Sequence, residues 1–411
     1  MISVGDALER VLERLPRTGC EQAALTVARG RALAAHVHAP HDVPPFRNSA
    51  MDGFAVRGAD VHGARPDAPV HLRVLETVGA GAVPSQPVTP GTAIRIMTGA
   101  PVPEGADTVV RVEDTGEAGV DVAVLVAPPA GANVRDPGED VRAGEAVLEP
   151  GRVLRPADIG LIASLGIAMV RVARRPRVAI IATGDELVDV GVPLGPGQIV
   201  NSNAYTLAAA VEEAGGEATH IGIVRDDPEL MRAAFREAVT ADVVLSTGGV
   251  SVGSFDYVRS ILSELGYEER FWKVAQKPGK PLTFGFCARV PVFGLPGNPV
   301  SSLVCFYLYV RPALRAMMGI ERLHLPTTTA TMVEALKKPA GLTEFVRCTL
   351  DGTPDAYRAR STGTQSSGAM RSLSIGDGLI IGPAELSVLP AGERVRVVVL
   401  GADAGVAAPP F

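Results

Sequence analysis

The sequence has few cysteines, few aromatic residues and no long basic or apolar run. Its four cysteines lie far apart and form no C-x-x-C pair. We therefore predict no zinc motif, no redox motif and no disulfide framework. Aromatic residues make up only 4% of the chain, so valine, leucine, isoleucine and alanine must fill its cores.

The charge balance also limits the partners that the chain can have. The formal net charge is −6 and no basic run is longer than a few residues, so we expect neither nucleic acid nor a membrane as a partner. No apolar run approaches the roughly 20 residues needed to span a bilayer. The N-terminus lacks the pattern of a signal peptide. We therefore expect a cytoplasmic protein that holds any anionic ligand with a few placed groups.

What the chain does contain predicts several domains. It has 411 residues with 45 glycines and 33 prolines, which favours many turns and short strands over a helical bundle. A capped helix opens the chain, and a second helix is predicted over residues 23–35. Valine-rich segments alternate with Gly/Pro turns before and after the middle of the chain. The predicted domains are 1–42 with 141–175, 43–140, 176–322 and 323–411.

Strand and helix patterns alternate through residues 176–322. Predicted strands at 178–183, 220–224, 243–246 and 290–295 are followed by helices at 204–214, 228–239, 255–265 and 300–318. This order implies a parallel sheet covered by helices on both faces. The predicted fold class is thus multi-domain α/β plus β, with a parallel-sheet α/β domain between β-rich domains.

Glycine-rich turns follow several predicted strands, at the edge where open α/β sheets bind ligands. Residues 248–253 read GGVSVG and residues 295–299 read LPGNP. Glycine lets backbone N–H groups approach an anion, and the next helix adds its positive dipole end. Lys277 and Lys280 flank another turn and either face a phosphate-bearing ligand or lie in a solvated loop. Such turns are often merely structural, so both interpretations stay open.

Several carboxylates lie where such a ligand would bind. Glu186 and Asp256 flank Gly-rich turns at the ligand edge, and Asp52 sits in a polar stretch bordered by Phe46 and Phe54. Carboxylates beside a phosphate site suggest Mg²⁺, a hard ion held by protein and phosphate oxygens. Asp227 precedes Pro228, and for this residue helix capping is the simpler interpretation.

Eight motifs occur in order along the chain and carry a resemblance to a known family. They are NSAMDG (48–53), RIMTGA (95–100), GED (138–140), TGDEL (183–187), NSN (201–203), TGGVSVG (247–253), KPGKP (277–281) and LPGNPVS (295–301). Together they resemble the MoeA family of molybdopterin molybdenumtransferases, the bacterial relatives of gephyrin's C-terminal domain. The resemblance covers residues from about 3 to 400.

The resemblance implies a molybdopterin-binding α/β domain, a C-terminal β-barrel-like domain and a homodimer. The site would lie between the α/β domain of one subunit and the NSAMDG-bearing domain of the other. The family's reaction takes adenylylated molybdopterin and molybdate, uses Mg²⁺, and releases AMP. The upstream adenylyltransferase and the downstream molybdoenzymes would be further partners.

Site residues follow from the motifs and the resemblance together. The expected catalytic residues are Asp52, Thr98, Glu186 and Asp256. The expected metal ligands are Asp52, Asp140, Glu186 and Asp256. The expected residues for binding the pterin substrate or molybdate are Ser202, Asn203, Asp227, Gly248, Gly249, Ser251, Lys277, Lys280, Pro296, Pro299 and Ser301.

Two other functions compete with this interpretation. A pterin adenylyltransferase uses the same α/β module, but it would need only residues 176–320 and not the NSAMDG segment. A non-catalytic scaffold would not need the candidate carboxylates and both lysines. Neither rival explains the whole set of motifs, so the molybdenumtransferase is the expected function.

Overall fold

The structure is a computed structural model that describes residues 1–248, 254–353 and 355–400, and for residues 254–257 and 259 it describes the backbone only. Three six-stranded sheets and several two-stranded pairs make up the β structure of these residues. One of these sheets belongs to the predicted α/β domain and the other two lie on either side of it in the chain. The predicted fold class is therefore confirmed.

The α/β sheet has four parallel strands that continue into an antiparallel edge. In spatial order the strands are Glu217–Val224, Arg177–Thr183, Val243–Thr247, Val290–Leu295, Thr283–Cys287 and Tyr267–Trp272. The first four pair in parallel, and the last two each pair antiparallel to their neighbour. The strand order reverses beside Arg177–Thr183, and such a reversal opens a crevice at the carboxyl ends of the strands.

Helices cover both faces of this sheet, as the alternating pattern predicts. One face packs against helices Ser202–Glu213, Pro299–Cys305 and Arg311–Met317, and the other against Pro228–Ala238 and Ser254–Glu264. Strand side chains alternate between the two cores: Val178 and Ile180 enter the first, and Ala179 and Ile181 the second. The helix predicted over 300–318 is interrupted by a π-helical turn at Phe306–Val310.

The N-terminal segment is divided between two cores. Helix Val4–Leu12 begins with a capping box between Ser3 and Asp6, and its Ala7 and Val11 lie in the α/β core. This packing departs from the predicted grouping of the helix with 141–175. A second core combines residues between 23 and 39 with residues between 141 and 172. Helix Pro156–Ser164 belongs to this second core.

The helix predicted over residues 23–35 is wrong. The structure has a strand at Cys20–Ala24 and a 3₁₀ turn at Leu25–Val27. The strand pairs antiparallel with Met169–Ala173. The alanine-rich segment favours a helix locally, but pairing with a strand about 150 residues away overrides that preference. Farther along, Val37–His38 pairs with Ala146–Leu148.

The β-rich domain before the α/β domain is a six-stranded sheet. Its strands in spatial order are Thr108–Arg111, Gly53–Val56, Thr92–Ile96, Val70–Val78, Asp121–Val124 and Thr115–Ala118. A short pair, Asn48–Ser49 with Val134–Arg135, lies beside it. Gly53 tolerates no side chain, since a Cβ there would lie 1.9 Å from the carbonyl oxygen of Val110.

The last domain is a closed five-stranded barrel. Its strands in order are Thr343–Asp351, Arg358–Ser361, Thr327–Met332, Arg394–Val399 and Gly378–Gly382, and the last pairs back with the first. The α/β domain contributes Gln276–Lys277, which pairs in parallel with Thr343–Asp351. The same domain also contains the strand pair Leu336–Lys337 with Val388–Leu389 and the helix Arg371–Ser374. A further strand pair, Leu187–Val188 with Ile199–Val200, belongs to the α/β domain. Within the described ranges, every helix is too short or too polar to cross a bilayer.

Candidate active site

The carboxyl ends of the α/β strands surround a pocket with a volume of about 800 Å³. Thr183 and Thr247 end two neighbouring parallel strands at the point of reversal, and Pro296 follows a third. Strand Tyr267–Trp272 runs in the same direction, because two antiparallel pairings separate it from Val290–Leu295. Its carboxyl end therefore reaches the same edge, where Trp272 and Lys273 line the pocket.

Gly248 and Gly297 both line the pocket and lie against each other. Gly248 has φ of 82°, and a Cβ there would lie 2.3 Å from the carbonyl oxygen of Thr183. A Cβ on Gly297 would lie 3.6 Å from the Cα of Gly248. Only glycine at 248 combines the left-handed backbone with this close approach. The expected role of these turns in shaping a ligand site is consistent with their position.

The NSN motif joins a helix to one of these turns. Asn201 caps helix Ser202–Glu213 by accepting from the backbone N–H of Ala204 at 3.3 Å. Asn203 donates through Nδ2 to the carbonyl of Gly297 at 2.7 Å, and its buried Oδ1 has no hydrogen-bond partner among the described residues. Ser202 and Asn203 both line the pocket, so the positive end of this helix dipole faces it.

Carboxylates collect on one side of the pocket. Glu186 and Asp226 both line it. The Glu186 carboxylate lies close to Gly184: a Cβ built on that glycine would be 2.5 Å from Glu186 Oε2. Burial, reinforced by the charges of Asp185 and Glu186, raises the pKa of Asp226 above its ordinary value. Asp226 is absent from the site residues expected from the sequence.

The cation in the pocket lining is Lys273. Its Nζ lies 3.9 Å from the centre of the Trp272 ring. Lys273 has φ of 69°, an uncommon conformation for a residue with a side chain, and its N–H donates to the carbonyl of Leu282. No local signal marks this lysine, since its place in the site depends on the antiparallel edge strand.

The structure places Lys277 in an ion pair between domains. Its Nζ lies 2.8 Å from Oε1 of Glu344, whose side chain is 5% exposed. Lys277 pairs through its backbone with the same barrel strand. Lys280 is exposed, and neither lysine lines the pocket. The structure therefore does not bring the KPGK lysines together with the pocket residues of this chain.

Two other expected ligand residues have structural roles here. Asp227 caps helix Pro228–Ala238, accepting at Oδ1 from the N–H groups of Glu229 and Leu230 at 2.9 Å each. Ser301 is 4% exposed within helix Pro299–Cys305 and packs below the KPGK turn. Neither residue lines the pocket, whereas Pro296 and Pro299 do.

Asp52 and Thr98 meet in the N-terminal sheet domain. Oδ1 of Asp52 accepts from both the N–H and the hydroxyl of Thr98, each at 2.7 Å. The hydroxyl bond, the N–H bond and the charge of Arg95 lower the pKa of Asp52. Both residues are exposed, and neither lines the α/β pocket of the same chain. Among the described side chains of one chain, Asp52 and Thr98 are thus separate from Glu186.

The four expected metal ligands do not form one cluster within the part of the chain that the structure describes. Asp140 has an exposed carboxylate, and its N–H donates to the carbonyl of Val43. No group of three or more His, Cys, Asp or Glu residues is placed to hold a metal ion among the described residues. Gly249, Ser251 and the side chain of Asp256 lie outside the described residues.

Three models of known protein families match consecutive parts of the chain and together cover nearly all of it. Residues 2–166 match "MoeA N-terminal region (domain I and II)". Residues 179–316 match "Probable molybdopterin binding domain", and residues 329–400 match "MoeA C-terminal region (domain IV)". The central match covers the α/β pocket, and the first covers Asp52 and Thr98.

Individual proteins and a solved structure agree with these matches. Molybdopterin molybdenumtransferase 2 of Mycobacterium tuberculosis is 42% identical over 383 residues, which cover 91% of this chain and 93% of the relative. Molybdopterin molybdenumtransferase of Bacillus subtilis is 37% identical over 98% of this chain and 95% of its own. A crystal structure of the molybdopterin biosynthesis MoeA protein of Pyrococcus horikoshii superposes with a TM-score of 0.84 at 31% identity, covering 97% of this chain and all of that one.

Proposed function

This chain belongs to the MoeA family, and we propose that it is a molybdopterin molybdenumtransferase that inserts molybdenum from molybdate into adenylylated molybdopterin and releases AMP. The observation that carries the proposal is the pocket at the sheet's reversal point, lined by glycine turns, a lysine and two carboxylates. Its volume of about 800 Å³ is in the range of small-molecule sites. The family match supports this reaction over a pterin adenylyltransferase or a scaffold.

The pocket offers suitable groups for each part of an adenylylated pterin. Backbone N–H groups at Gly248, at Gly297 and at the start of helix Ser202–Glu213 can donate hydrogen bonds to phosphate oxygens. Lys273 can neutralise part of the phosphate charge, and the Trp272 ring offers a flat apolar face to a ring system. Lys277 would reach a phosphate only by leaving Glu344, so Lys273 is the primary candidate.

Mg²⁺ fits the oxygen donors of this pocket. Mg²⁺ in nucleotide sites is held by one or two carboxylates together with substrate phosphates, and Glu186 and Asp226 are two carboxylates in one lining. Burial first, and then the charges of Asp185 and Glu186, raise the pKa of Asp226, so a bound cation would favour its ionised form. When bound, the ion would neutralise charge that develops as the phosphoanhydride breaks. Glu186 and Asp226 would hold it, and Asp256 stays a proposed third ligand.

The proposed active species is a homodimer. Asp52 and Thr98 form a polar pair that is exposed and separate from the pocket of its own chain. A twofold arrangement would let this pair from one subunit face the pocket of the other. In that position the Thr98 hydroxyl and neighbouring N–H groups would orient molybdate. Asp52, whose pKa is lowered, would remain ionised and hold Thr98 in place, and Asp140 stays a proposed further metal ligand.

The direct test follows AMP release by the purified protein. The protein is incubated with adenylylated molybdopterin, Mg²⁺ and molybdate, and AMP is measured together with pterin-bound molybdenum. We expect AMP release that depends on molybdate. Formation of adenylylated molybdopterin from ATP and molybdopterin would instead identify an adenylyltransferase, and the absence of both reactions would favour the scaffold.

Mixing inactive variants tests whether the site spans two chains. Asp52→Asn and Glu186→Gln are each expected to abolish turnover in their own homodimer. Mixed dimers would carry one intact site, so after subunit exchange about a quarter of the wild-type site number should return for a twofold dimer. Recovery would support a shared site. A persistent lack of activity in dimers shown to be mixed would place both residues in one chain's site.

A further inference from the structure

A second cavity, lined by arginines, lies outside the substrate pocket. It has a volume of about 580 Å³ and shares no lining residue with that pocket. Its wall combines residues just after the first helix with two strands at the antiparallel edge of the α/β sheet. The residues that matter for its chemistry are Arg14, Arg17, Glu268, Arg270, Phe286 and Arg289. We call this cavity the arginine cleft.

The charge of the arginine cleft is opposite to that of the chain. Four arginines and one glutamate give its lining a net charge of +3, while the whole chain carries −6. Gathering like charges costs free energy unless an anion compensates them. The cleft is therefore a local site of attraction for anions on a chain whose net charge is negative.

Arg270 has an unused pair of donors at this cleft. Its Nε and Nη2 are buried and make no hydrogen bond to any described residue. These two N–H groups lie on one edge of the guanidinium, the edge that binds two oxygens of a phosphate or carboxylate in parallel. The guanidinium carbon lies 5.9 Å from the centre of the Phe286 ring, and the Arg270 carbonyl accepts from Arg10 Nη1 at 2.9 Å. The backbone contact and the Phe286 ring therefore restrict the position of the Arg270 side chain.

The size and fixed neighbours of the arginine cleft favour a small ligand. Its volume is within the range of small-molecule sites, and it exceeds the space that a bare oxyanion needs. Arg17 is held in place by a bond from Nη1 to the carbonyl of Ala316 at 2.5 Å. We propose that the arginine cleft is a second ligand site, which binds a phosphate-bearing small molecule through the free edge of Arg270 and the charge of Arg14 and Arg289.

Arginine-selective labelling tests this proposal on the full-length protein. The protein is treated with phenylglyoxal with and without inorganic pyrophosphate as the probe, and the modification rate of each arginine is read by peptide mass spectrometry. We expect pyrophosphate to slow modification of Arg14 and Arg289, two exposed arginines of the cleft, several-fold, and to leave exposed Arg73 in the N-terminal sheet unchanged. Equal rates with and without the probe would overturn the proposal. The proposal would also be overturned if phenylglyoxal modified none of the arginines of the cleft, since the cleft would then be covered.

Two variants separate the bidentate contact from general charge attraction. Arg270→Lys keeps the charge but removes the paired donors, and Arg270→Gln removes both. We expect both variants to lose pyrophosphate protection at Arg289, with melting temperatures near that of the wild type to show that they fold. Arg73→Gln, the matched control, should keep the protection. If pyrophosphate protects Arg289 in Arg270→Lys as well as it does in the wild type, the proposed bidentate site is wrong.

Discussion

Replacing Lys277 should destabilise the protein, because this lysine neutralises a buried carboxylate. Glu344 is 4% exposed, its Oε1 lies 2.8 Å from Lys277 Nζ, and its Oε2 has no hydrogen-bond partner among the described residues. In Lys277→Ala the Glu344 carboxylate would stay buried without its ion-pair partner. The loss would fall on the contact between the α/β domain and the barrel, which these two residues also join through strand pairing.

The magnitude lies between two limits. Removing one partner of a fully buried ion pair costs about 3–5 kcal/mol, and exposed pairs contribute about 0–1 kcal/mol. The Lys277 side chain is 45% exposed while that of Glu344 is 5% exposed, so solvent screens the pair partly. We expect Lys277→Ala to lower the free energy of unfolding by about 1–3 kcal/mol. At roughly 2–4 °C per kcal/mol for domains of 150–250 residues, the melting temperature should fall by several degrees.

A double-mutant cycle with Glu344→Gln measures the pair directly. Glu344→Gln removes the buried charge, so adding Lys277→Ala to it should cost little, and the coupling should be of the order of 1–2 kcal/mol. Lys280→Ala, on the same turn and exposed, is the matched control and should melt like the wild type. If Lys277→Ala keeps its stability but weakens binding of adenylylated molybdopterin, the lysine binds substrate and the structural interpretation is refuted.

Other predictions concern the pocket. Glu186→Gln and Asp256→Asn should each lower AMP release by orders of magnitude with little change in melting temperature, and near-wild-type turnover in both would end the metal-site proposal. The pKa of Asp226 is raised from 3.8, so its carboxyl group keeps its proton to higher pH in the folded protein than in the unfolded chain. Stability therefore falls as the pH rises from the unfolded pKa through the folded pKa. Asp226→Asn should therefore flatten the pH dependence of melting above 3.8 and raise stability near neutral pH, and an unchanged profile would contradict it. Gly248→Ala should cost more than about 1 kcal/mol and weaken pterin binding in calorimetry, since its Cβ would meet the Thr183 carbonyl at 2.3 Å; a neutral substitution would show that the turn moves freely.

Much of the α/β domain could be predicted because its signals are local. The apolar run at 178–183 and the proline that opens helix Pro228–Ala238 mark a strand and a helix without any knowledge of distant residues. The glycine turns after the parallel strands likewise follow from motifs, and Gly248, Pro296 and Pro299 do line the pocket. Local sequence thus predicts the floor of the site.

The missed residues depend on pairing between distant segments. Lys273 reaches the pocket because two antiparallel strands extend the sheet and bring its strand to the same edge. The strand Cys20–Ala24 exists because Met169–Ala173 lies beside it. Lys277, expected at the ligand, is engaged by Glu344 from another domain. In each case the partner lies outside the segment whose pattern was interpreted.

The charge distribution of the pocket gives a reason for a divalent cation there. Its described lining contains Glu186 and Asp226 but a single cation, Lys273, and burial and neighbouring carboxylates raise the pKa of Asp226. A ligand with a phosphoanhydride would add negative charge to this same side. The N–H groups of the glycine turns can donate hydrogen bonds to phosphate oxygens, but their partial positive charges do not cancel the negative charge of two carboxylates. A hard divalent ion held by Glu186 and Asp226 would offset this repulsion. Mg²⁺ and the adenylylated pterin would then each strengthen the binding of the other by the same factor.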